Sequence, residues 1–268
     1  MFASEPGCGL KRPNRSEGYR RGLVAIVTAI PEEFEAIAKF VSEGRRVRTP
    51  QDRRGFLLKG KMAGTNVLLA MTGDGAVRAS ASVSFLLGEF SVSLLVGAGA
   101  AGALDPSLRA GEIVVAERLV DEEGEAPSPD AGLLARAVAL GAKPATIVSV
   151  ARPITSSKEK RETAVRFGIP DSSSAVVDME SSAWARASAS WGVPFLALRA
   201  VSDSFEEELP AFLSSCLTPD GSVDRAAVAR RLVQHAPPLP THHRKRRRVR
   251  EGAEALGDFL DRLLSEKV

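Results

Sequence analysis

The chain has 268 residues, 44% of them hydrophobic and 26% charged, with a formal net charge of +3. That length buries a full core as one large domain, with or without a terminal appendage, and the composition is that of a soluble globular protein. No apolar run is long enough to span a membrane and no export signal is evident. Cys8 and Cys216 make neither a metal motif nor a disulfide framework, which points to a reducing, cytoplasmic setting.

Residues 1–20 are polar, rich in Gly, Pro and Arg, and read as a loose leader. Leu23 to Ile30 is a continuous aliphatic run, predicting a first central strand. Pro31 followed by Glu32 and Glu33 suits the opening of a helix through about Ser42. Residues 56–59 and 66–71 predict a strand pair around a turn from Gly60 to Gly64, and Gly73-Asp74-Gly75 predicts a loop before an Ala/Ser-rich helix over 76–87. Residues 91–96 predict a buried strand entering a glycine loop, Gly97 to Gly102. Further strands are expected over 112–117, 145–150 and 196–201, and helices near 130–140 and over 158–167, 181–191, 211–216, 224–234 and 251–267. Pro237, Pro238 and Pro240 read as a spacer. Strands alternating with helices indicate an α/β fold around a mostly parallel or mixed sheet.

Gly97-Ala98-Gly99-Ala100-Ala101-Gly102 matches the spacing of a dinucleotide fingerprint, but the context excludes that use. Such a fingerprint must open a helix at once, whereas Leu104-Asp105-Pro106 and Gly111 break any helix and Ile113–Ala116 returns to strand. A glycine floor that lets a flat ligand approach the backbone is the functional reading; a tight packing turn is the structural one.

The chemistry concentrates where two apolar runs end in acids. Val176-Val177 leads to Asp178-Met179-Glu180, and Leu196–Val201 leads to Ser202-Asp203. Buried strands that end so deliver carboxylates to a sheet edge. Glu180 can accept hydrogen bonds from vicinal sugar hydroxyls and Asp203 can handle a proton. An internal salt bridge for Glu180, a helix cap for Asp203 and a first-turn acid for Glu33 are the structural alternatives.

In this order and register, the motifs resemble the purine nucleoside phosphorylase superfamily, especially its methylthioadenosine/S-adenosylhomocysteine nucleosidase branch. They are Ala29–Glu33, Thr72–Ala79, Gly97–Gly102 with Asp105-Pro106 and Gly111-Glu112, Asp178–Glu180 and Ser202-Asp203. The segment after Asp203, with Leu209-Pro210 and Pro219-Asp220-Gly221, is most similar to hopanoid-biosynthesis-associated members that act on adenosylhopane. The resemblance implies a three-layer α/β/α fold around a mixed, partly barrel-like sheet. It also implies a division into the leader, a catalytic domain over 21–236, and a Pro-rich spacer with a basic helix over 237–268.

For the site, the resemblance implies Asp203 as the acid that protonates N7 of a departing purine, with Ser202 positioning it. Glu180 would bind the ribose 2′- and 3′-hydroxyls, Met179 the sugar face, and Glu33 the hydrolytic water. Ile154 and Thr155 would meet the adenine edge, and Ala100 and Gly102 the floor of the sugar or anion region. Ala100 and Arg152 stand where the nucleosidases usually carry serine and aspartate, and position 154 lacks the usual aromatic. Hydrolysis and phosphorolysis therefore both stay open, with Gly73, Gly75 and Arg78 as the candidate phosphate-binding set and inorganic phosphate as the candidate co-substrate.

The expected activity is cleavage of a 5′-modified adenine nucleoside, with adenosylhopane as one substrate. The alternatives are a general phosphate-dependent purine nucleoside phosphorylase and a non-catalytic nucleoside-binding protein. No metal or organic cofactor is implied, and the family's habit implies a homodimer or homohexamer. Arg244-Lys245-Arg246-Arg247-Arg248 and Arg250 form a basic cluster that reads as a solvated helix face or a peripheral membrane contact. The rest of the chain is close to neutral, so no nucleic-acid partner is expected.

Overall fold

A computed structural model of the chain describes residues 22–48, 56–235 and 239–265. The expected leader, and Pro237 and Pro238 of the expected spacer, lie outside the described residues. In chain order the strands are β1 (Leu23–Thr28), β2 (Ser42–Arg46), β3 (Leu57–Met62), β4 (Thr65–Met71), β5 (Val92–Ala103), β6 (Ile113–Asp121), β7 (Gly124–Glu125), β8 (Lys143–Ser149), β9 (Ala175–Asp178) and β10 (Phe195–Asp203). The helices are α1 (Pro31–Ala38), α2 (Ala76–Glu89), α3 (Ala131–Ala139), α4 (Ser157–Arg166), α5 (Ser181–Ser190), α6 (Arg225–His235) and α7 (Leu239–Ser265).

All strands join one mixed sheet in the order β10-β6-β8-β9-β5-β1-β4-β3-β2, with β7 on β6. A further β10–β5 pairing bends one end of the sheet back on itself, so that β5, β9, β8, β6 and β10 close a ring. The expected three-layer, partly barrel-like α/β architecture is therefore present. Alternate residues of the central strands feed two cores, as the pleat requires. Ala25 and Val27 of β1 pack with Val83 and Leu86 of α2 and Trp184 of α5. Val24 and Ile26 pack on the opposite face with Phe34 and Ile37 of α1 and Leu256, Phe259 and Leu260 of α7. A strand buried on both faces reads as an unbroken aliphatic run, which is why β1 stands out in the sequence.

Several boundaries differ from the sequence expectation. Helix α1 stops at Ala38, where Phe40 and Val41 turn back through N–H bonds to the carbonyls of Ile37 and Ala38, and Ser42 begins a strand paired with Lys61. The β3–β4 turn is two residues long: Ala63 and Gly64 both have positive φ, 48° and 79°, the geometry that matches the twist of a hairpin. The segment 211–216 forms a short 3-10 turn over Ala211–Ser215. Pro240 lies in the first turn of α7, where a missing N–H costs no helical bond.

The largest correction concerns the glycine segment. Gly97–Gly102 is strand, the continuation of β5, paired with β10 from Leu95 to Gly102 and with β9 from Gly102 to Ala103. Its glycines make room for large neighbours. A Cβ on Gly97 would lie 2.6 Å from the Trp184 ring, and one on Gly99 would lie 2.6 Å from Arg199 Nη1 and 2.9 Å from Glu33 Oε1.

Candidate active site

Three sheet positions converge. The end of β1 and the start of α1 carry Glu33, the end of β9 carries Asp178, Met179 and Glu180, and the end of β10 carries Ser202 and Asp203. Strand β5 lies between β1 and β10, so its small residues form the floor. Together these groups line one cavity of about 560 Å³. The backbone register sets Asp203 directly opposite Gly102.

Glu33 is buried and turned back over its own helix start. Its Oε2 accepts the N–H groups of Ala29 and Ile30 at 3.0 and 3.3 Å, and its Oε1 accepts that of Ala100 at 2.8 Å. Burial raises its proton affinity above the ordinary carboxylate value, opposed by these N–H bonds and by Arg199. Glu180 accepts the Gly75 N–H at 2.9 Å on Oε1. Burial first, then the neighbouring charges of Asp178 and Glu33, push it up to about 8, against the pull of Arg199 and the Gly75 N–H.

Arg199 anchors the charge balance beneath the cavity. Its Nε and Nη2 donate to Asp178 Oδ2 at 2.8 and 2.5 Å, its Nη2 also reaches Ser181 Oγ at 2.8 Å, and its guanidinium stacks over Trp184 at 4.7 Å. The second oxygen of Asp178 accepts Ser149 Oγ at 2.6 Å. Asp203 is held from both sides: Ser202 Oγ donates to Oδ1 at 2.7 Å, and Lys160 Nζ donates to Oδ2 at 2.7 Å.

Of the residues expected from sequence, Glu33, Ala100, Gly102, Ile154, Met179, Glu180, Ser202 and Asp203 all border the cavity. Thr155 is buried beside it. Its N–H and Oγ1 donate to Glu159 and its carbonyl accepts the Leu209 N–H, so these groups are engaged within the protein. Gly73, Gly75 and Arg78 do not border the cavity. Gly75 serves it through Glu180, while Arg78 Nε donates to Asp220 at 2.7 Å. Bonds from Thr218, Arg78 and Ser222 hold Asp220 well below the usual carboxylate range.

Sequence reasoning missed Lys160, the Arg199–Asp178 pair and an apolar wall. Leu209, Pro210, Leu213, Val223, Val228 and Val249 bring this wall from the loop after β10, α6 and α7. Within this wall only Leu209-Pro210 carried a signal, as part of the resemblance after Asp203, and of the ion pair only Asp178 did, as part of the Asp178–Glu180 motif. The described arginines of the basic cluster are each paired: Arg247 with Glu251, Arg248 with Glu207 and Arg250 with Glu254. Among the described residues no helix is long and apolar enough to cross a membrane.

Residues 23–234 match the family described as the phosphorylase superfamily. The 5′-methylthioadenosine/S-adenosylhomocysteine nucleosidase of Staphylococcus epidermidis is 29% identical over 227 residues, covering 73% of this chain and 96% of that protein. A solved Neisseria meningitidis nucleosidase of the same description, in complex with methylthio-immucillin-A, superposes with a TM-score of 0.68 at 20% identity, covering 91% of this chain and 99% of that one. The futalosine hydrolase of Helicobacter pylori gives a TM-score of 0.69 at 18% identity, covering 92% and 98%. At those identities the structural likeness is one of fold.

Proposed function

The chain belongs to the phosphorylase superfamily, and from that premise we propose that it cleaves the N-ribosidic bond of a 5′-substituted adenine nucleoside. The observation that carries the reading is the meeting of Glu33, Glu180 and Asp203 on one cavity. N-glycosidic cleavage passes through an oxocarbenium-like state, so it needs an acid at the departing base and a nucleophile across the sugar. Asp203 delivers a proton to N7 as the C1′–N9 electron pair passes into the purine. Glu180 accepts the 2′- and 3′-hydroxyls. Glu33 takes a proton from water as the water oxygen bonds to C1′, giving free adenine and a free 5′-substituted ribose.

Water is the favoured nucleophile for electrostatic reasons. A phosphate dianion would enter a cavity bordered by Glu33, Asp74, Asp178, Glu180 and Asp203. Two of the three candidate phosphate ligands have other partners, since the Gly75 N–H is on Glu180 and Arg78 is on Asp220. The two arginines bordering the cavity are paired as well, Arg152 with Glu159 and Arg225 with Glu32. Among the described residues, then, the arginines that border the cavity already have carboxylate partners, which leaves a bound dianion without a ready counter-ion.

The apolar wall formed by Leu209, Leu213, Val228 and Val249 supports an extended apolar group on the 5′ carbon. A hopane-linked adenosine is the instance that the sequence resemblance suggests. A reducing cytoplasmic setting and a homo-oligomer belong to the same proposal, and light scattering on the purified protein tests the oligomer.

The test of the activity is incubation with 5′-methylthioadenosine and with a 5′-alkyl adenosine, with and without inorganic phosphate, followed by chromatography of the products. Adenine release independent of phosphate, faster with the alkyl substrate, is expected. No adenine from either substrate overturns the activity, and strict phosphate dependence overturns the choice of water.

A further inference from the structure

Lys160 is 0% exposed, on a helix whose other buried side chain is Thr163. Its Nζ donates to Asp203 Oδ2 at 2.7 Å, to the Ser204 carbonyl at 2.5 Å and to the Glu207 carbonyl at 3.1 Å. An ammonium has three hydrogens and no acceptor site, so each hydrogen meets one oxygen. This is the coordination of a charged lysine. Taking that charge out of water costs several kcal/mol, which an apolar side chain at the same buried position would avoid. Packing alone therefore gives no reason for a lysine here, whereas contact with the cavity's terminal carboxylate does.

We propose that Lys160 is a positioning residue for the general acid: it fixes the Asp203 carboxyl group against the leaving base and supplies the counter-ion of the carboxylate left when the proton moves to the purine. The inference rests on the reading of Asp203 as the acid in N-ribosidic cleavage. Lys160 does not border the cavity, so it acts through Asp203 and not on the substrate. With Ser202 on Oδ1 and Lys160 on Oδ2, rotation of the carboxyl plane breaks a short hydrogen bond on either side. The lysine itself gives up no proton. At the moment of bond breaking, negative charge appears on Asp203 in contact with a cation already in place, so no solvent has to reorganise.

The same ammonium ties down the segment after β10. Its bonds to Ser204 and Glu207 hold a loop whose Leu209 and Pro210 form part of the apolar wall. The Leu209 N–H reaches the Thr155 carbonyl at 2.7 Å, and Glu207 pairs with Arg248 of α7 at 2.6 Å. One buried cation thus registers the acid with the wall that would receive the 5′ group.

The test compares the wild type with Lys160→Met and Lys160→Gln on two substrates. One is 5′-methylthioadenosine, whose base leaves with acid help. The other is 4-nitrophenyl β-D-riboside, whose phenolate leaves unprotonated. Lys160→Met is expected to lower kcat on the nucleoside about 10–100-fold, with KM changed less than about threefold. Turnover of the nitrophenyl riboside should fall less than about threefold, because no acid is needed. In an Asp203→Asn background, Lys160→Met should lower nucleoside turnover no further. Lys160→Gln keeps two N–H donors without the charge, and it serves the same comparison if the methionine variant does not fold.

Equal losses on both substrates would mean that the lysine merely supports the fold, and an unchanged nucleoside kcat would mean that it does not serve the acid. Either result overturns the inference while adenine release by the wild type leaves the activity standing. A wild type that releases no adenine from either 5′-methylthioadenosine or the 5′-alkyl adenosine overturns the activity and the inference together.

Discussion

Arg199 and Asp178, 21 residues apart in the chain, form an ion pair in which each side chain is 1% exposed, with the guanidinium Nε and Nη2 on one carboxylate oxygen at 2.8 and 2.5 Å. The pair sits beneath Glu33 and Glu180, and its cation is a charge that partly offsets both. Removing one member of such a pair leaves the other buried without a partner, which costs about 3–5 kcal/mol. Asp178→Ala is therefore expected to lower unfolding stability by about that amount in urea titration. A loss under about 1 kcal/mol would show that the arginine finds an equivalent partner.

Glu180 predicts a coupling of protons to ligand binding and to folding. Its folded pKa of about 8 lies above the ordinary 4.5, so between these values the native state holds a proton that the unfolded chain has released. Stability from this group is complete below about pH 4.5 and is lost as pH rises through about 8. Hydroxyls that donate to Glu180 prefer its carboxylate form, so nucleoside binding at pH 7 should release close to ~1 proton. Calorimetry of a C-nucleoside analogue, whose glycosidic bond does not break, in two buffers of different ionisation enthalpy measures this. Proton uptake on binding would contradict the assigned sugar contact.

Gly99 offers a steric test of the floor. A methyl group there would lie 2.6 Å from Arg199 Nη1 and 2.9 Å from Glu33 Oε1, closer than real Cβ contacts allow. Gly99→Ala should cost about 1–3 kcal/mol and displace the Glu33 carboxylate. A fall in kcat of at least about tenfold is expected from misplacing that group. Full activity in a folded Gly99→Ala protein would mean that Glu33 does not need its present position.

Much of the framework was legible because buried strands must be apolar on both faces. Val24–Val27, Leu94–Val96 and Leu196–Leu198 announced themselves, and the acids that end β9 and β10 drew attention for the same reason. The glycine segment misled because glycine weakens strands in general, whereas β5 uses it to admit Trp184 and Arg199. Lys160 was invisible in sequence, since α4 is rich in charged residues and a lysine there looks like one more solvated residue. Arg78 looked like an anion ligand beside two glycines, and its partner Asp220 lies 142 residues away. Periodicity reports which face of an element is buried, but not which distant loop closes over it.

The closing helix predicts a stability effect of its own. Leu260 of α7 is fully buried with Phe34 and Ile37 of α1, so Leu260→Ala should cost about 2–5 kcal/mol through lost burial and the cavity left behind. Urea unfolding measures it. A cost under about 1 kcal/mol would mean that α7 adds little to the core.

The account depends most on Asp203 and Glu33 serving opposite ends of one bond-breaking step. Initial rates of adenine release from 5′-methylthioadenosine in ¹⁸O-labelled water, without phosphate, test this for the wild type, Asp203→Asn and Glu33→Gln. The account predicts label at C1 of the released sugar, and losses of about 10²–10⁴-fold in both folded variants. Turnover by either folded variant at the wild-type rate, or a sugar product without the label, would contradict it.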